Sequence, residues 1–169
     1  MIALRHVAAI AILPFTAAAL IPWWILRSDR TVPALATSPG ALAVQTAGVL
    51  VLAVGLLLFA SSLRRFATEG KGTLAPWDPP RRLVVRGPYR FVRNPMISGV
   101  VFMLAAESML LTSGPLAVWA GIFLAINLVY IPLVEEPMLR YRFGDAYREY
   151  CRHVPRIFPR ARPWRTDGA

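Results

Sequence analysis

The sequence predicts an all-α protein embedded in a membrane, with about four transmembrane helices and a C-terminal amphipathic helix on the cytoplasmic side. Hydrophobic residues make up 56% of the 169 residues, the mean hydropathy is +0.50, and charged residues are absent from several long runs. Soluble domains carry fewer apolar and more charged residues. We therefore expect residues 1–169 to form a single integral-membrane domain.

The predicted spans follow from the uncharged runs. Residues 7–26 and 31–63 contain no charged side chain, and each run exceeds the roughly 18 residues that a membrane-crossing helix needs. Between residues 95 and 134 the one charged residue is Glu107, and the turn-forming sequence TSGP at 112–115 divides this run into a helical hairpin. The predicted spans are residues 6–26, 41–63, 96–112 and 115–134.

The positive charges predict the orientation of these spans. Eight Lys or Arg residues lie in 64–93 and eight Arg lie in 140–165, whereas the first inter-helix loop holds Arg27 and Arg30. The positive-inside rule then places both termini on the cytoplasmic side. We expect the protein to lie in the cytoplasmic (inner) membrane. The net charge of +10 is explained by this topology and by anionic lipid headgroups. We expect no nucleic-acid partner, since no nucleic-acid-binding motif accompanies the charge.

Two interpretations of the first apolar run are open. A cleaved signal peptide would place a basic residue before a short apolar stretch and small residues after it. Here the run is long and closes with Trp23 and Trp24, which suit the interfacial belt of a retained span. We expect a retained span.

A C-terminal amphipathic helix is predicted from spacing. The apolar residues at 143, 147, 150 and 154 recur at intervals of four, three and four, which places them on one helix face. Asp145, after Gly144, is the predicted N-cap of this helix. Cys151 is the single cysteine, so no intrachain disulfide is expected. His153 would point to another face of the helix, which favours a buried thiol over a catalytic one. No metal site is predicted.

Glu135 and Glu136 end the last apolar run and are the candidate catalytic residues. Carboxylates close to membrane depth indicate a functional site, although both could instead reach water or pair with the arginines that follow. Pro132 and Pro137 cannot donate hydrogen bonds to preceding carbonyls, so acceptor groups are left free beside the carboxylates. Such a group of acceptors suits a cationic ligand.

The stretch RGPYRFVRNP, residues 86–95, supplies the opposite kind of group. Pro95 suits the first turn of the third predicted span, and Asn94 is its predicted N-cap. Free N–H groups and the positive dipole end at a helix N-terminus favour a carboxylate or a phosphate. Segments 86–99 and 135–160 would together suit a zwitterion.

The ordered combination of RGPYRFVRNP, a hairpin and EEPMLRYRFGDAYREYCRHVPRIFPR resembles the isoprenylcysteine carboxyl methyltransferase and phospholipid methyltransferase family. The resemblance covers about the C-terminal half of the chain. It implies a membrane methyltransferase that binds S-adenosylmethionine between the two segments, with Tyr147 and Tyr150 helping to close the pocket. The cofactor contacts that it implies are Gly87, Tyr89, Arg93, Asn94, Pro95, Glu135 and Glu136.

The chain departs from the family pattern at two places. Ile97 stands where the family commonly has a tyrosine, and Tyr130 and Ile131 stand where the prenylcysteine enzymes have an arginine. The methyl acceptor is therefore predicted only as a lipid-soluble or membrane-delivered molecule, and either glutamate could be its general base. The alternatives are a sterol-type membrane reductase that uses NADPH and a non-catalytic small membrane protein.

Two polar residues lie inside predicted spans. Glu107 is about five residues from the non-cytoplasmic turn, and Asn127 is in the fourth span. We expect Glu107 to bond to a neighbouring helix or to reach the far interface, because the cofactor pocket is predicted at the opposite end of the bundle. The alternative is that it lines an acceptor tunnel.

Overall fold

The computed structural model describes residues 11–29, 38–65, 68 and 83–165, and among these residues there are helices and loops but no β-strand. The all-α prediction is thus confirmed over the described part of the chain. A π-helical segment, Ala11–Leu20, leads into α1, and a π-helical turn, Ile131–Glu135, joins the last two α-helices. The α-helices are α1 (Ile21–Asp29), α2 (Pro39–Arg65), α3 (Pro95–Leu110), α4 (Gly114–Tyr130) and α5 (Glu136–His153).

Two helical segments are long and apolar enough to cross a membrane. They are α2 and the continuous run from α4 through α5, Gly114–His153. Only 11% of the most apolar window of each is buried, unlike the core helix of a soluble protein. α3 is apolar but has 16 residues, and residues 6–10 of the first predicted span lie outside the described part.

α2 and α3 pack closely through glycines. A Cβ on Gly99 would lie 2.8 Å from the backbone oxygen of Gly55 and 2.9 Å from the backbone nitrogen of Phe59. At the other end of the pair, the Gln45 side chain donates to the carbonyl of Leu110 over 3.1 Å. Small residues of this kind let helix backbones approach in a membrane environment, where packing drives association. The contacts make α2 and α3 antiparallel.

The predicted turn at residues 112–115 is present between α3 and α4. α3 ends at Leu110, Thr112 has a positive φ of 48°, and Ser113 caps α4 by accepting from Leu116 N at 3.4 Å. α4 therefore runs antiparallel to α3. Its carboxyl end, and that of α2, lie at the same end of the bundle as the amino end of α3.

The core of the bundle contains side chains from several helices. Ala17, Val100 and Leu104 are buried together, and the Trp119 indole donates to the carbonyl of Ala17 at 3.0 Å. Phe59 and Phe123 pack against this group. Apolar side chains elsewhere on α2 and α4 point outward, and a lipid phase accommodates them better than water does.

The C-terminal helix differs from its predicted start. α5 begins at Glu136 as a continuation of α4, and Gly144 breaks it with φ 54° and ψ −130°. That backbone conformation is open to glycine but strained for other residues. Asp145 is not the N-cap of the whole helix but lies beyond the break, where its carboxylate pairs with exposed Arg148 at 2.9 Å. Gly144 therefore separates two helical stretches within α5, and the second of them begins beside Asp145, as predicted.

Candidate functional site

The two predicted site segments meet at one end of the bundle. Arg93, in the loop before α3, places Nη1 3.0 Å from Oε1 of Glu136 at the start of α5. Gly87 begins a short 3-10 turn, Gly87–Arg90, with a φ of 57°, and it packs against the side chain of Arg65 at the end of α2. The hairpin geometry brings these groups together because it returns the chain to the end from which α3 began.

Glu136 is surrounded by arginines. Its side chain is 2% exposed, and its oxygens lie 2.6 Å from Arg156 Nε, 3.0 Å from Arg93 Nη1 and 3.3 Å from Arg140 Nη2. Burial disfavours the charged form, but the hydrogen bond from Arg156 and the three positive charges outweigh burial and lower the pKa of Glu136. Glu136 is therefore an ionised carboxylate whose oxygens are already engaged by the protein.

Glu135 has different surroundings, since adjacent residues on a helix point about 100° apart. It lies one residue beyond the predicted span 115–134 and forms no ion pair within the described part of the chain. Burial, followed by the charge of Glu136, raises the pKa of Glu135 to about 7, with Arg93 partly opposing the shift. Of the two glutamates, Glu135 is the one whose charge the protein leaves uncompensated.

Arg93 carries the positive charge that partly opposes the pKa shift of Glu135. Its side chain is 10% exposed, and Nη1, besides meeting Glu136, donates to Cys151 Sγ at 2.7 Å. Nε of Arg93 is buried and has no hydrogen-bond partner among the described residues. An unpaired buried N–H costs about 1–3 kcal/mol, so this atom is suited to a ligand that accepts a hydrogen bond.

Tyr89 and Tyr150 join the loop to α5. The Tyr150 hydroxyl donates to the main-chain carbonyl of Tyr89 at 2.6 Å. Burial, and then the charge of Glu135, raises the pKa of the Tyr89 phenol well above its usual value. Tyr89 is thus a neutral, half-buried phenol close to Glu135.

A C-terminal tail, residues 155–164, lies along the loop before α3. The N–H groups of Arg93 and Asn94 donate to the carbonyls of Pro155 and Arg156 at 2.8 and 3.2 Å. Asn94 is the N-cap residue of α3, as predicted, but its side chain makes no capping hydrogen bond. The N–H groups of Arg93 and Asn94 are therefore already paired with the tail. The sequence did not predict this pairing.

The tail pairing continues farther along both segments. The N–H groups of Arg160 and Trp164 donate to the carbonyls of Phe91 and Arg90 at 3.0 and 2.9 Å. A recognisable signal for this element is the alternation of prolines at 155, 159 and 163 with buried apolar residues at 154 and 157. Proline favours an extended chain that cannot continue a helix.

Comparison with known proteins identifies the family. A model of the phospholipid methyltransferase family matches residues 44–146, which is more than half of the chain. The chain belongs to the phospholipid methyltransferase family. This membership confirms the resemblance to the membrane methyltransferases and, with the two apolar helices, indicates an integral membrane protein. No curated protein and no solved structure matches the chain.

The phospholipid methyltransferase match includes the loop before α3 and the acidic pair, whereas Tyr147, Tyr150 and the tail lie beyond residue 146. Both tyrosines are buried, with ring centroids 6.1 Å apart. Trp164 of the tail lies 5.9 Å from the Tyr150 ring and stacks on His153 at 5.1 Å. These aromatic rings attach the tail to α5.

Cys151 is half-buried rather than fully buried, and its thiol contacts Arg93. It therefore sits beside the candidate site of this phospholipid methyltransferase family member. The described residues contain no group of His, Cys, Asp and Glu that could hold a metal ion.

Glu107 and Asn127 lie apart from the candidate site. Asn127 donates to the Phe123 carbonyl of its own helix at 2.8 Å. Glu107 is near the opposite end of α3, and its Oε2 is buried with no hydrogen-bond partner in the described part of the chain. The predicted bond from this oxygen to a neighbouring helix is therefore not seen among those residues.

An open apolar groove runs along the carboxyl-terminal half of α4 towards Glu135. It is shallow and open, since most of its lining side chains are exposed, and its surface is almost wholly apolar. Its lining residues are Ala125, Ile126, Val129, Tyr130, Leu133 and Val134.

Proposed function

We propose that this protein transfers a methyl group from S-adenosylmethionine to a lipid-soluble or membrane-delivered acceptor. One observation carries the proposal. Arg93 has a buried Nε without a partner, and Glu135 has no ion-pair partner in the described part of the chain, at the same end of the bundle. A ligand with both an anionic and a cationic group satisfies both residues.

The chemistry of these side chains fits the methyl donor. S-adenosylmethionine carries a carboxylate, an ammonium group and a sulfonium, and when bound it supplies a methyl group at the sulfonium for in-line displacement. Arg93 Nε would donate to the carboxylate, and Glu135 would lie near a positive group. The further contacts in this proposal are those that the family resemblance implies: Gly87, Tyr89, Asn94, Pro95, Glu136, Tyr147 and Tyr150.

The protein's contribution would be alignment and exclusion of water. Holding two reactants in line can lower a barrier by several kcal/mol without any covalent intermediate. Glu136 is held by three arginines, so its role in the proposal is to fix Arg93 rather than to accept a proton. Glu135 would hold a positive group of the donor in its ionised form, so no general base is assigned for an acceptor that must lose a proton.

The apolar groove on α4 supports a hydrophobic acceptor. Its lining is apolar from Ala125 to Val134, next in sequence to Glu135. A hydrocarbon part of the acceptor could lie there while its reactive group reaches the acidic pair. The groove does not distinguish an amine, a carboxylate, a thiol or a hydroxyl as that group.

The proposal includes four spans with both termini in the cytoplasm. The antiparallel order of α2, α3 and α4 and the two clusters of eight basic residues support this arrangement. Reporter fusions test it directly. We expect a C-terminal fusion to be active only with a cytoplasmic reporter, and activity of a periplasmic reporter at that position would contradict the topology.

Ligand titration tests the function. Purified protein in detergent is titrated calorimetrically with S-adenosylmethionine and, separately, with NADPH. We expect binding of the methyl donor that Glu135→Gln and Asn94→Ala weaken, with Glu149→Gln as a matched control because Glu149 pairs with Arg152 on the exposed side of α5. Preference for the dinucleotide would favour a reductase, and binding of neither ligand would favour a non-catalytic protein.

The acceptor requires a separate experiment. Cells with and without the protein are fed methionine labelled in its methyl group, and their membrane lipids and small molecules are compared. A labelled product that depends on the protein and disappears in the Glu135→Gln variant would identify the acceptor.

A further inference from the structure

We propose that Arg156 is a positioning residue that clamps the two halves of the candidate site together. The inference rests on the proposed function, because it assigns Arg156 a part in holding the methyl donor. Arg156 lies in the C-terminal tail, beyond the matched residues 44–146, and it is not among the cofactor contacts that the resemblance implies.

Arg156 contacts both the start of α5 and the loop before α3 with its own atoms. Its Nε lies 2.6 Å from Oε1 of Glu136, at the start of α5. Its main-chain carbonyl accepts from the N–H of Asn94 at 3.2 Å, immediately before α3. Among the described residues, no other one is seen to bond to both Glu136 and Asn94.

The arginines around the Glu136 carboxylate come from different segments of the chain. Arg140 is four residues from Glu136 on α5, is 53% exposed and lies 3.3 Å away. Its ion pair therefore joins two residues of the same helix. Arg156 is 33% exposed, is closer, and comes from a different segment. Removing the Arg156 side chain therefore breaks the ion pair between the tail and the start of α5, whereas removing the Arg140 side chain breaks a pair within one helix.

Loss of the Arg156 side chain would also change the surroundings of Arg93. Its Nη1 and Nε of Arg156 share one oxygen, Oε1 of Glu136. With Arg156 absent, Arg93 becomes the sole non-local partner of this buried carboxylate and is free to move towards it. That movement would displace Arg93 Nε from the position proposed for the donor carboxylate.

The experiment compares Arg156→Gln and Arg156→Lys with Arg140→Gln as the matched control. Binding of S-adenosylmethionine and of S-adenosylhomocysteine is measured by calorimetry on the full chain in detergent. We expect Arg156→Gln to weaken both about tenfold or more, Arg156→Lys to recover part of the loss, and Arg140→Gln to change affinity less than threefold. Millimolar guanidinium should partly restore Arg156→Gln, since it replaces the missing group.

A second measurement does not depend on the methyl donor. The midpoint of thermal unfolding is followed from pH 4 to 7. The groups that face Glu136 are Arg93, Arg140, Arg156, Glu135 and Tyr147. Loss of the Arg156 hydrogen bond raises the pKa of Glu136, so acid destabilisation should begin at a higher pH in Arg156→Gln than in Arg140→Gln.

Equal effects of Arg156→Gln and Arg140→Gln on affinity, or no effect of either, would overturn the clamp. If wild-type protein binds no methyl donor, the proposed function fails, and the pH comparison still decides the clamp, because coincident acid transitions of the two variants would refute it. If Arg156→Gln does not fold, Arg156→Lys serves in its place, and wild-type affinity without a pH shift in that variant would count against the proposal.

Discussion

Arg93 Nη1 and Glu136 Oε1 lie 3.0 Å apart, although the whole α3–α4 hairpin separates the two residues in the sequence. The ion pair joins the residues that enter and leave the hairpin. It therefore fixes the open end of the hairpin, where the candidate site lies, and several predictions depend on it.

Glu136→Gln should destabilise the protein. The substitution leaves three arginines around a buried neutral amide, and removing one partner of a buried ion pair costs about 3 kcal/mol or more. Thermal or denaturant unfolding in detergent measures the change. Glu149→Gln removes solvent-accessible contacts with Arg152 and His153 and should cost about 0–1 kcal/mol. Equal losses in the two variants would contradict the structural role of Glu136.

Glu135 should make stability depend on pH. Its folded pKa of about 7 lies above the ordinary value of 4.5, so the folded state binds the proton more tightly than the unfolded state. Its contribution to stability is full below the ordinary pKa and is lost as pH rises towards 7. Glu135→Gln should remove this slope. The difference between wild-type and variant unfolding midpoints from pH 5 to 8 is the measurement, and parallel curves would refute the shift.

The affinity for the methyl donor should also depend on the ionisation of Glu135. A cationic ligand prefers ionised Glu135, so affinity should rise through the pKa of about 7 and level off about one pH unit above it. Calorimetry in two buffers of different ionisation enthalpy should detect proton release on binding near pH 6.5. Neither effect should survive in Glu135→Gln, and a pH-independent wild-type affinity would argue against contact between Glu135 and the ligand.

Gly99→Ala should weaken the packing of α2 against α3. The new methyl would lie 2.8 and 2.9 Å from backbone atoms of Gly55 and Phe59, which cannot move without shifting a helix. Overpacking of this kind costs about 1–3 kcal/mol. Gly121→Ala on α4 is the control, since no atom lies within 4 Å of its Cβ position, and it should be neutral or slightly stabilising. The unfolding midpoints should differ in that order.

Tyr150→Phe should lower stability by about 1 kcal/mol. It deletes the hydroxyl that donates to the Tyr89 carbonyl at 2.6 Å and removes a partner of this half-buried acceptor. Tyr141→Phe removes the same atom from a side chain that is 96% exposed. Hydrogen exchange of the loop before α3 should increase in the first variant and not in the second.

The sequence was sufficient to predict the hairpin and the meeting of its two ends. Uncharged runs fix the extent of α2, α3 and α4, and the turn between Leu110 and Gly114 follows from residues that favour turns. An antiparallel hairpin necessarily returns the chain to its starting end. The juxtaposition of residues 86–99 with the acidic pair is a consequence of this topology.

The difference between the two glutamates could not be predicted. The arginines around Glu136 come from a loop, a helix and the tail, and spacing along the chain carries no information about such contacts. The tail was also missed, because its hydrogen bonds to residues 90–94 are non-local and follow no period. Pro137 is compatible with the first turn of α5, so nothing local marked that helix as continuous with α4.

The break at Gly144 separates two parts of the last helical run that have different surroundings. Before it, the chain has an outward apolar surface that ends in Leu133 and Val134, and after it, Tyr147 and Tyr150 turn inward beneath the loop. Gly144 thus separates a helix with an exposed apolar surface from a helix that packs against the loop before α3. Substitutions on either side of Gly144 can therefore change the apolar surface or the packing of the loop independently.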